Sequence, residues 1–105
     1  MDNLEKIKII IREILKKTAP DSEVVLFGSR AKGKAHSGSD YDFIIIVSDD
    51  IQPFTRKKIG SAIRKELANN YIDADIIIQT KSKYNELRDF PGNVSHWAST
   101  EGIAI

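Results

Sequence analysis

The sequence predicts an α/β protein in which helices pack on a small mixed β-sheet. A helical stretch precedes two short runs of β-branched and aromatic residues, and a second helical stretch separates these from a third apolar run. Apolar residues make up 41% and charged residues 30% of the 105 residues, a composition typical of folded domains. The order α-β-β-α-β-α-α therefore indicates a sheet covered by helices, and we expect one domain over residues 1–105.

The first third of the chain predicts a helix, a strand and a loop. Residues 2–18 carry apolar side chains at steps of three and four, with charged residues between them, which indicates an amphipathic helix. The run from Glu23 to Phe27 is β-branched and aromatic, which indicates a buried strand. Residues 28–39 are rich in Gly, Ser and Lys, so they predict a loop, with one helical turn at 29–32.

The middle of the chain predicts a β-α-β segment. Residues 40–47 form the strongest strand, and the tail 44–47 does not alternate with polar residues, which is typical of a strand covered on both faces. Pro53, preceded by two aspartates, indicates a helix start, and this helix is expected to run to about Asn69. Residues 72–78 predict the third strand.

The last third predicts short helical pieces. Residues 81–89 favour a short helix, and the Pro-Gly pair at 91–92 is a firm break. Residues 93–100 favour a last helical piece, and residues 102–105 are expected to be a frayed end.

Charge and residue usage exclude several classes of function. Sixteen basic and fifteen acidic residues give a net charge of +1, so no overall field favours nucleic acid or a membrane surface. The absence of cysteine excludes disulfides, thiolate metal sites and cysteine nucleophiles. The longest apolar run has about five residues, against the ~20 needed to span a bilayer, and the charged N-terminus lacks a signal-peptide apolar region. We therefore expect a cytoplasmic protein.

Two carboxylates stand at the start of the strongest strand. Asp40 and Asp42 are two residues apart, so their side chains point to the same face. Paired aspartates supply the oxygen ligands that Mg²⁺ takes, with substrate phosphates completing its coordination. The alternative is that both are solvated aspartates that end the turn Ser-Gly-Ser-Asp.

A third carboxylate opens the other strongly apolar strand. If the two strands are neighbours, acidic groups from both meet at one end of the sheet, as in a two-metal phosphoryl or nucleotidyl transfer site. Asp73 and Asp75 share a face, so spacing alone leaves the choice open. We favour Asp75, because it lies deeper in the predicted strand, and Asp73 remains the alternative.

Gly28 and Ser29 directly follow the first strand. A small-small pair at such a turn lets backbone N–H groups approach a phosphate closely, and the serine hydroxyl adds a donor. Arg30 is a candidate phosphate contact, although a salt bridge to a nearby acid is an equal alternative, and Lys32 and Lys34 add positive charge. A plain turn glycine in a solvated basic loop is the alternative for the whole segment.

The sequence does not favour a P-loop for this segment. Residues 28–34 fit G-x-x-x-x-G-K, but Ala35 stands where a magnesium-binding serine or threonine is needed, and no long helix can follow. His36 is expected to be a solvated loop residue.

One spacing in this sequence resembles the signature of the DNA polymerase beta-like nucleotidyltransferase superfamily. It consists of Gly28-Ser29, ten further residues, Asp40-Tyr41-Asp42 and a later strand aspartate. The small size points to its minimal nucleotidyltransferases, which are often paired with HEPN-domain proteins in toxin–antitoxin systems. The segments 89–93 and 101–105 are weakly similar to the closing segments of these proteins. The resemblance implies the polymerase beta-like nucleotidyltransferase fold.

The resemblance also implies roles for the candidate residues. Asp40, Asp42 and Asp75 would bind two Mg²⁺ ions, and Asp75 would also help to deprotonate the acceptor hydroxyl. Gly28 and Ser29 would hold the β- and γ-phosphates of ATP. A hydroxyl would then attack the α-phosphate and release pyrophosphate.

The acceptor is expected on another protein, because about 105 residues leave little chain for an acceptor pocket. The resemblance implies transfer of AMP to a HEPN-type toxin in a hetero-oligomer, which makes the chain an antitoxin. One alternative is a binding antitoxin of the same fold without catalysis. Another is a nucleotidyltransferase for small molecules such as antibiotics that needs a second subunit.

Overall fold

A computed structural model describes residues 3–33 and 40–105 of the chain. Asp2, Lys34 and His36, on which some predictions rest, lie outside these ranges. None of the helices in the described ranges is long and apolar enough to cross a membrane. The elements in chain order are α1 (Asn3–Thr18), β1 (Glu23–Phe27), β2 (Tyr41–Val47), α2 (Pro53–Asn69), β3 (Ala74–Thr80), α3 (Lys81–Leu87), α4 (Val94–Glu101) and β4 (Ile103–Ala104).

The four strands form one mixed sheet in the order β3-β2-β1-β4. Strand β1 pairs antiparallel with β2 and with β4, whereas β2 and β3 run parallel. A parallel pair needs a crossover, and α2 supplies it. The predicted mixed sheet with helices packed on it is confirmed.

Strand β2 is buried on both faces, as its unbroken apolar tail predicted. Phe43, Ile45 and Val47 belong to the larger core, to which α1 and α2 contribute their apolar stripes. Ile44 and Ile46 point to the other face, where they meet Tyr84 of α3 and residues of α4. Two faces of one strand therefore hold two clusters, which we call the α1/α2 face and the α3/α4 face of the sheet.

Strand β3 begins and ends two residues later than predicted. Ile72 is apolar and buried, but its backbone N–H donates to Leu67 O, 3.0 Å away, within the turn that follows α2. Gln79 and Thr80 lie beyond the predicted strand, yet they pair with Ile46 and Val47 of the long neighbouring strand. Pairing with β2 therefore set the boundaries, which local composition did not reveal.

The predicted frayed end at residues 102–105 is wrong. Ile103 and Ala104 pair with β1, and the N–H of Ile105 donates to Val24 O at 2.9 Å. Arg12 of α1 donates to Ile105 O at 2.8 Å. A Cβ at Gly102 would collide with Ala98 O and the Val25 side chain, so the missing side chain lets the segment turn from α4 onto the sheet.

Candidate functional site

The ends of three strands bring three predicted site residues together. Asp42 on β2 is in register with Asp75 on β3 on one side and with Phe27, the last residue of β1, on the other. Paired residues of neighbouring strands project their side chains to the same face, so Asp42 and Asp75 lie side by side. Gly28 directly follows Phe27, so it lies beside Asp42 on the side opposite Asp75.

Asp42 is the carboxyl whose ionisation this arrangement changes most clearly. Burial raises the pKa of Asp42 above its ordinary value of 3.8, and the charge of Asp75 and a side-chain hydrogen bond to Asp75 raise it further. The charge of Asp40 adds to the same effect. Burial and neighbouring negative charge therefore both disfavour the ionised form of Asp42.

Gly28 is required at this turn for two reasons. Its φ of 76° is left-handed, a conformation that glycine adopts without strain. A Cβ at this position would lie 2.5 Å from Asp42 Oδ2, so the missing side chain leaves the carboxylate its place. The Gly28 carbonyl accepts from the N–H groups of Ala31 and Lys32, which is consistent with the single helical turn expected there.

The donor set fits a hard divalent cation. Every acidic side chain in the group offers carboxylate oxygen, the ligand that Mg²⁺ prefers, and register places Asp42 and Asp75 side by side. Asp40 is exposed and lies just before β2. Across residues 3–33 and 40–105, no three acidic or histidine side chains already stand close enough to hold a metal together. Asp42 and Asp75 are thus the fixed pair, and the exposed Asp40 would have to turn towards them.

Asp75, and not Asp73, is the acid that the structure places beside Asp42. Asp73 precedes β3, and its backbone carbonyl accepts from the N–H of Tyr41 at 3.2 Å. Its backbone thus helps to start the β2–β3 pairing, whereas the charges that raise the pKa of Asp42, in addition to burial, are those of Asp75 and Asp40.

Arg30 contacts the side chain of Tyr41. Its guanidinium lies 4.3 Å from the centre of the Tyr41 ring, a cation–π distance, and Tyr41 stacks on Phe43 in the larger core. Consecutive strand residues point to opposite faces, so this ring lies on the α1/α2 face and Asp42 on the α3/α4 face. A phosphate contact of Arg30 stays a prediction. Ser29 is exposed beside Gly28, and its hydroxyl is accessible.

A contact that sequence reasoning missed fixes the other end of the turn. Lys32 Nζ lies 2.9 Å from Glu101 Oε2 at the end of α4. The two residues are far apart in sequence, and no local pattern signals their pairing. The turn after β1 is thereby tied to the segment that leads into β4.

Two sequence comparisons are consistent with this geometry. The family model described as Nucleotidyltransferase domain matches residues 8–97. Over 53 residues, or 50% of this chain, the sequence is 40% identical to the "Probable protein adenylyltransferase MntA" of Haemophilus influenzae. The chain spans about half the length of that curated relative, since the match covers 46% of it.

Solved structures share the fold. A Sulfolobus solfataricus protein described as a nucleotidyltransferase matches with a TM-score of 0.63 and 19% identity, over 96% of this chain and 77% of that one. A chain of a toxin–antitoxin complex with AMP-PNP matches with a TM-score of 0.57 and 19% identity, over 92% and 70%. A chain of the complex between a tri-AMPylated HEPN toxin and an MNT antitoxin from Shewanella oneidensis matches with a TM-score of 0.53 and 20% identity, over 99% and 71%.

Proposed function

Because the chain belongs to the nucleotidyltransferase domain family, we propose that it transfers AMP from ATP to a hydroxyl group of a HEPN-domain partner protein. The observation that carries the proposal is the Asp42–Asp75 carboxyl pair, held at a strand end beside the Gly28 turn. The name of the Haemophilus influenzae relative, a protein adenylyltransferase, supports the reaction. The AMPylated toxin in the Shewanella oneidensis complex supports the acceptor. The proposal makes the chain an antitoxin that acts in the cytoplasm, where ATP is available.

In this proposal two Mg²⁺ ions would be held by Asp40, Asp42 and Asp75. When bound, the metal neutralises the crowded carboxylates and polarises the phosphates for in-line displacement. The fit rests on the oxygen-only donor set and on the placement of Asp42 and Asp75 side by side at the ends of two strands.

The chain's own groups then position the reactants. In this proposal the Gly28 turn and the Ser29 hydroxyl hold the β- and γ-phosphates, because a glycine there lets phosphate oxygens approach the backbone closely. Asp75 accepts the proton of the attacking hydroxyl. A bond forms between that oxygen and the α-phosphorus, the bond from the α-phosphorus to the bridging oxygen breaks, and pyrophosphate leaves.

Crowded carboxylates favour catalysis over a role in binding alone. Burial and like charge disfavour the ionised form of Asp42, so the arrangement works against folding at neutral pH. A module that only binds its partner gains nothing from crowded carboxylates, whereas a metal-dependent transferase requires them.

The test is transfer of label from ATP. The chain is co-purified with a candidate HEPN-domain partner protein and incubated with Mg²⁺ and ATP labelled in the α-phosphate. We expect label on the partner, a mass increase of one AMP group, and no label when ATP carries it in the γ-phosphate. Asp42→Asn serves as the inactive control. A stable complex without any label would favour the binding antitoxin, and label found only on a small-molecule acceptor would favour the antibiotic-type enzyme.

A further inference from the structure

A polar cavity lies at the end of the sheet opposite the acid pair. Strands β1 and β2 are antiparallel, so β1 starts beside the end of β2. The turn from α1 to β1 (residues 18–22) and the turn from β2 to α2 (residues 48–51) meet there and line a cavity of about 190 Å³, which we call the turn cavity. Extended chain from Asp42 to Ser48 spans roughly 20 Å, so the turn cavity does not belong to the acid pair.

Side-chain oxygens dominate the lining of the turn cavity. They belong to the exposed residues Thr18, Asp21, Ser48 and Asp50 and to the buried residue Ser22. None of the described lining residues is basic. Asp21 and Asp50 take part in neither of the ion pairs found within residues 3–33 and 40–105. The cavity therefore offers two carboxylates and three hydroxyls, which is a donor set for a cation.

Ser22 carries a buried polar atom that points to a ligand. Ser22 is only 6% exposed, and its Oγ has no hydrogen-bond partner in the part of the chain that the structure describes. The backbone of the same residue is paired, since its N–H donates to Ala19 O at 3.2 Å and its carbonyl accepts from Arg12 Nη1 at 2.7 Å. A buried hydroxyl without a partner destabilises the folded state, so such a group normally bonds to water or to an ion.

We propose that the turn cavity binds a divalent cation together with part of its water shell. The carboxylates of Asp21 and Asp50 balance the charge of the ion, and the hydroxyls of Ser22, Ser48 and Thr18 coordinate it directly or through water. A volume of 190 Å³ corresponds to about six water molecules at roughly 30 Å³ each, so a partly hydrated ion fits. The bound ion holds the turn before β1 against the turn before α2, and it takes no part in the transfer of AMP proposed above.

Melting temperatures and calorimetry with MgCl₂ or CaCl₂ at constant ionic strength test the proposal. The parent is the full chain with Asp42→Asn and Asp75→Asn, so that the acid pair no longer competes for the ion. We expect a rise in melting temperature of about 6–11 °C at ten times the dissociation constant, because the ion binds only the folded state. The two salts show which ion is preferred, and no shift and no binding heat with either would overturn the proposal. If the parent does not fold, the same titrations of the otherwise unaltered chain should count one ion fewer when Asp50→Asn is introduced.

Two pairs of variants separate the turn cavity from general charge and stability effects. Asp50→Asn should weaken binding of the ion by at least about tenfold, whereas Asp89→Asn, at an exposed aspartate outside the cavity lining, should not. Ser22→Ala should melt no lower than the parent without divalent ions, because an unpartnered hydroxyl is removed, yet its affinity for the ion should fall about fivefold. Ser95→Ala is the matched control, because Ser95 is also buried with an unpartnered Oγ among the described residues but does not line the cavity.

Equal responses to the ion within either pair of variants would overturn the proposal. None of these measurements requires transfer of AMP, so a failure of the proposed function leaves the test of the turn cavity unchanged.

Discussion

Replacing Gly28 by alanine should abolish most activity and leave the fold largely intact. The change adds one methyl group to a residue with a φ of 76°, where an L-residue other than glycine is strained by about 1–2 kcal/mol. The new Cβ would lie 2.5 Å from Asp42 Oδ2, about 0.9 Å inside the 3.4 Å at which ordinary contact begins. Asp42 is only half-buried, so its carboxylate can rotate away and the protein can still fold.

The expected magnitudes follow from these two effects. The backbone strain should lower the melting temperature by roughly 4–8 °C per kcal/mol in a domain of this size. To restore ordinary contact with the new Cβ, the Asp42 carboxylate would have to move by about 0.9 Å, the difference between 3.4 Å and 2.5 Å. Misplacement of a reacting group by about 1 Å reduces turnover on the order of a hundredfold. Stability and activity should therefore fall by very different amounts.

Gly33→Ala is the matched control in the same loop. Its φ of 69° imposes the same backbone strain, but no atom of residues 3–33 and 40–105 lies within 4 Å of the added Cβ. Thermal unfolding of the two variants should agree within a few degrees, whereas transfer of α-labelled AMP to the HEPN-domain partner should drop only in Gly28→Ala. Similar transfer rates in both variants would refute the argument that Gly28 makes room for the Asp42 carboxylate.

Four further measurements test other residues of the site and fold. In metal-free protein the folded state binds the Asp42 proton more tightly than the unfolded state does. The contribution of Asp42 to the free energy of unfolding should therefore fall as the pH rises from 3.8 through the raised pKa of the folded state, and urea titrations at several pH values measure this fall. Asp42→Asn should remove that dependence, unfold at a higher temperature at neutral pH and transfer no AMP, and a large fall in its melting temperature would make the carboxylate structural. Asp75→Asn should lose at least about a hundredfold in turnover while still binding nucleotide, whereas the turnover of Asp73→Asn should be near normal. The reverse result would identify Asp73 as the third acid. Gly60→Ala should stabilise α2 by about 0.5–1 kcal/mol, because the added Cβ would meet only the flexible ends of the Arg64 and Ile78 side chains. A lower melting temperature would show that these side chains cannot move aside.

The sequence by itself determined the elements that depend on local pattern. The apolar periodicity of α1, the β-branched runs of β1 and β2, and Pro53 at the start of α2 mark those elements correctly, because each pattern is read from neighbouring residues. The spacing from Gly28-Ser29 to Asp40-x-Asp42 also pointed to the family without any coordinates.

Tertiary structure alone decided which distant residues meet. Asp73 and Asp75 are equivalent in local pattern, and the parallel register with β2 placed Asp75 beside Asp42. Proximity in sequence groups Arg30 with the phosphate turn, whereas its contact with the Tyr41 ring is visible only in the structure, and its phosphate contact stays a prediction.

The end of the chain shows most clearly that local sequence patterns do not reveal strand pairing. Residues 103–104 are too few to signal a strand, and they form β4 because β1 offers an unpaired edge and Gly102 leaves space against Val25. Hydrogen bonds between strands satisfy backbone groups that local sequence cannot pair. Local pattern thus determined where most elements form, and the pairing of strands determined which acids make the site, because register is a property of two segments and not of either one alone.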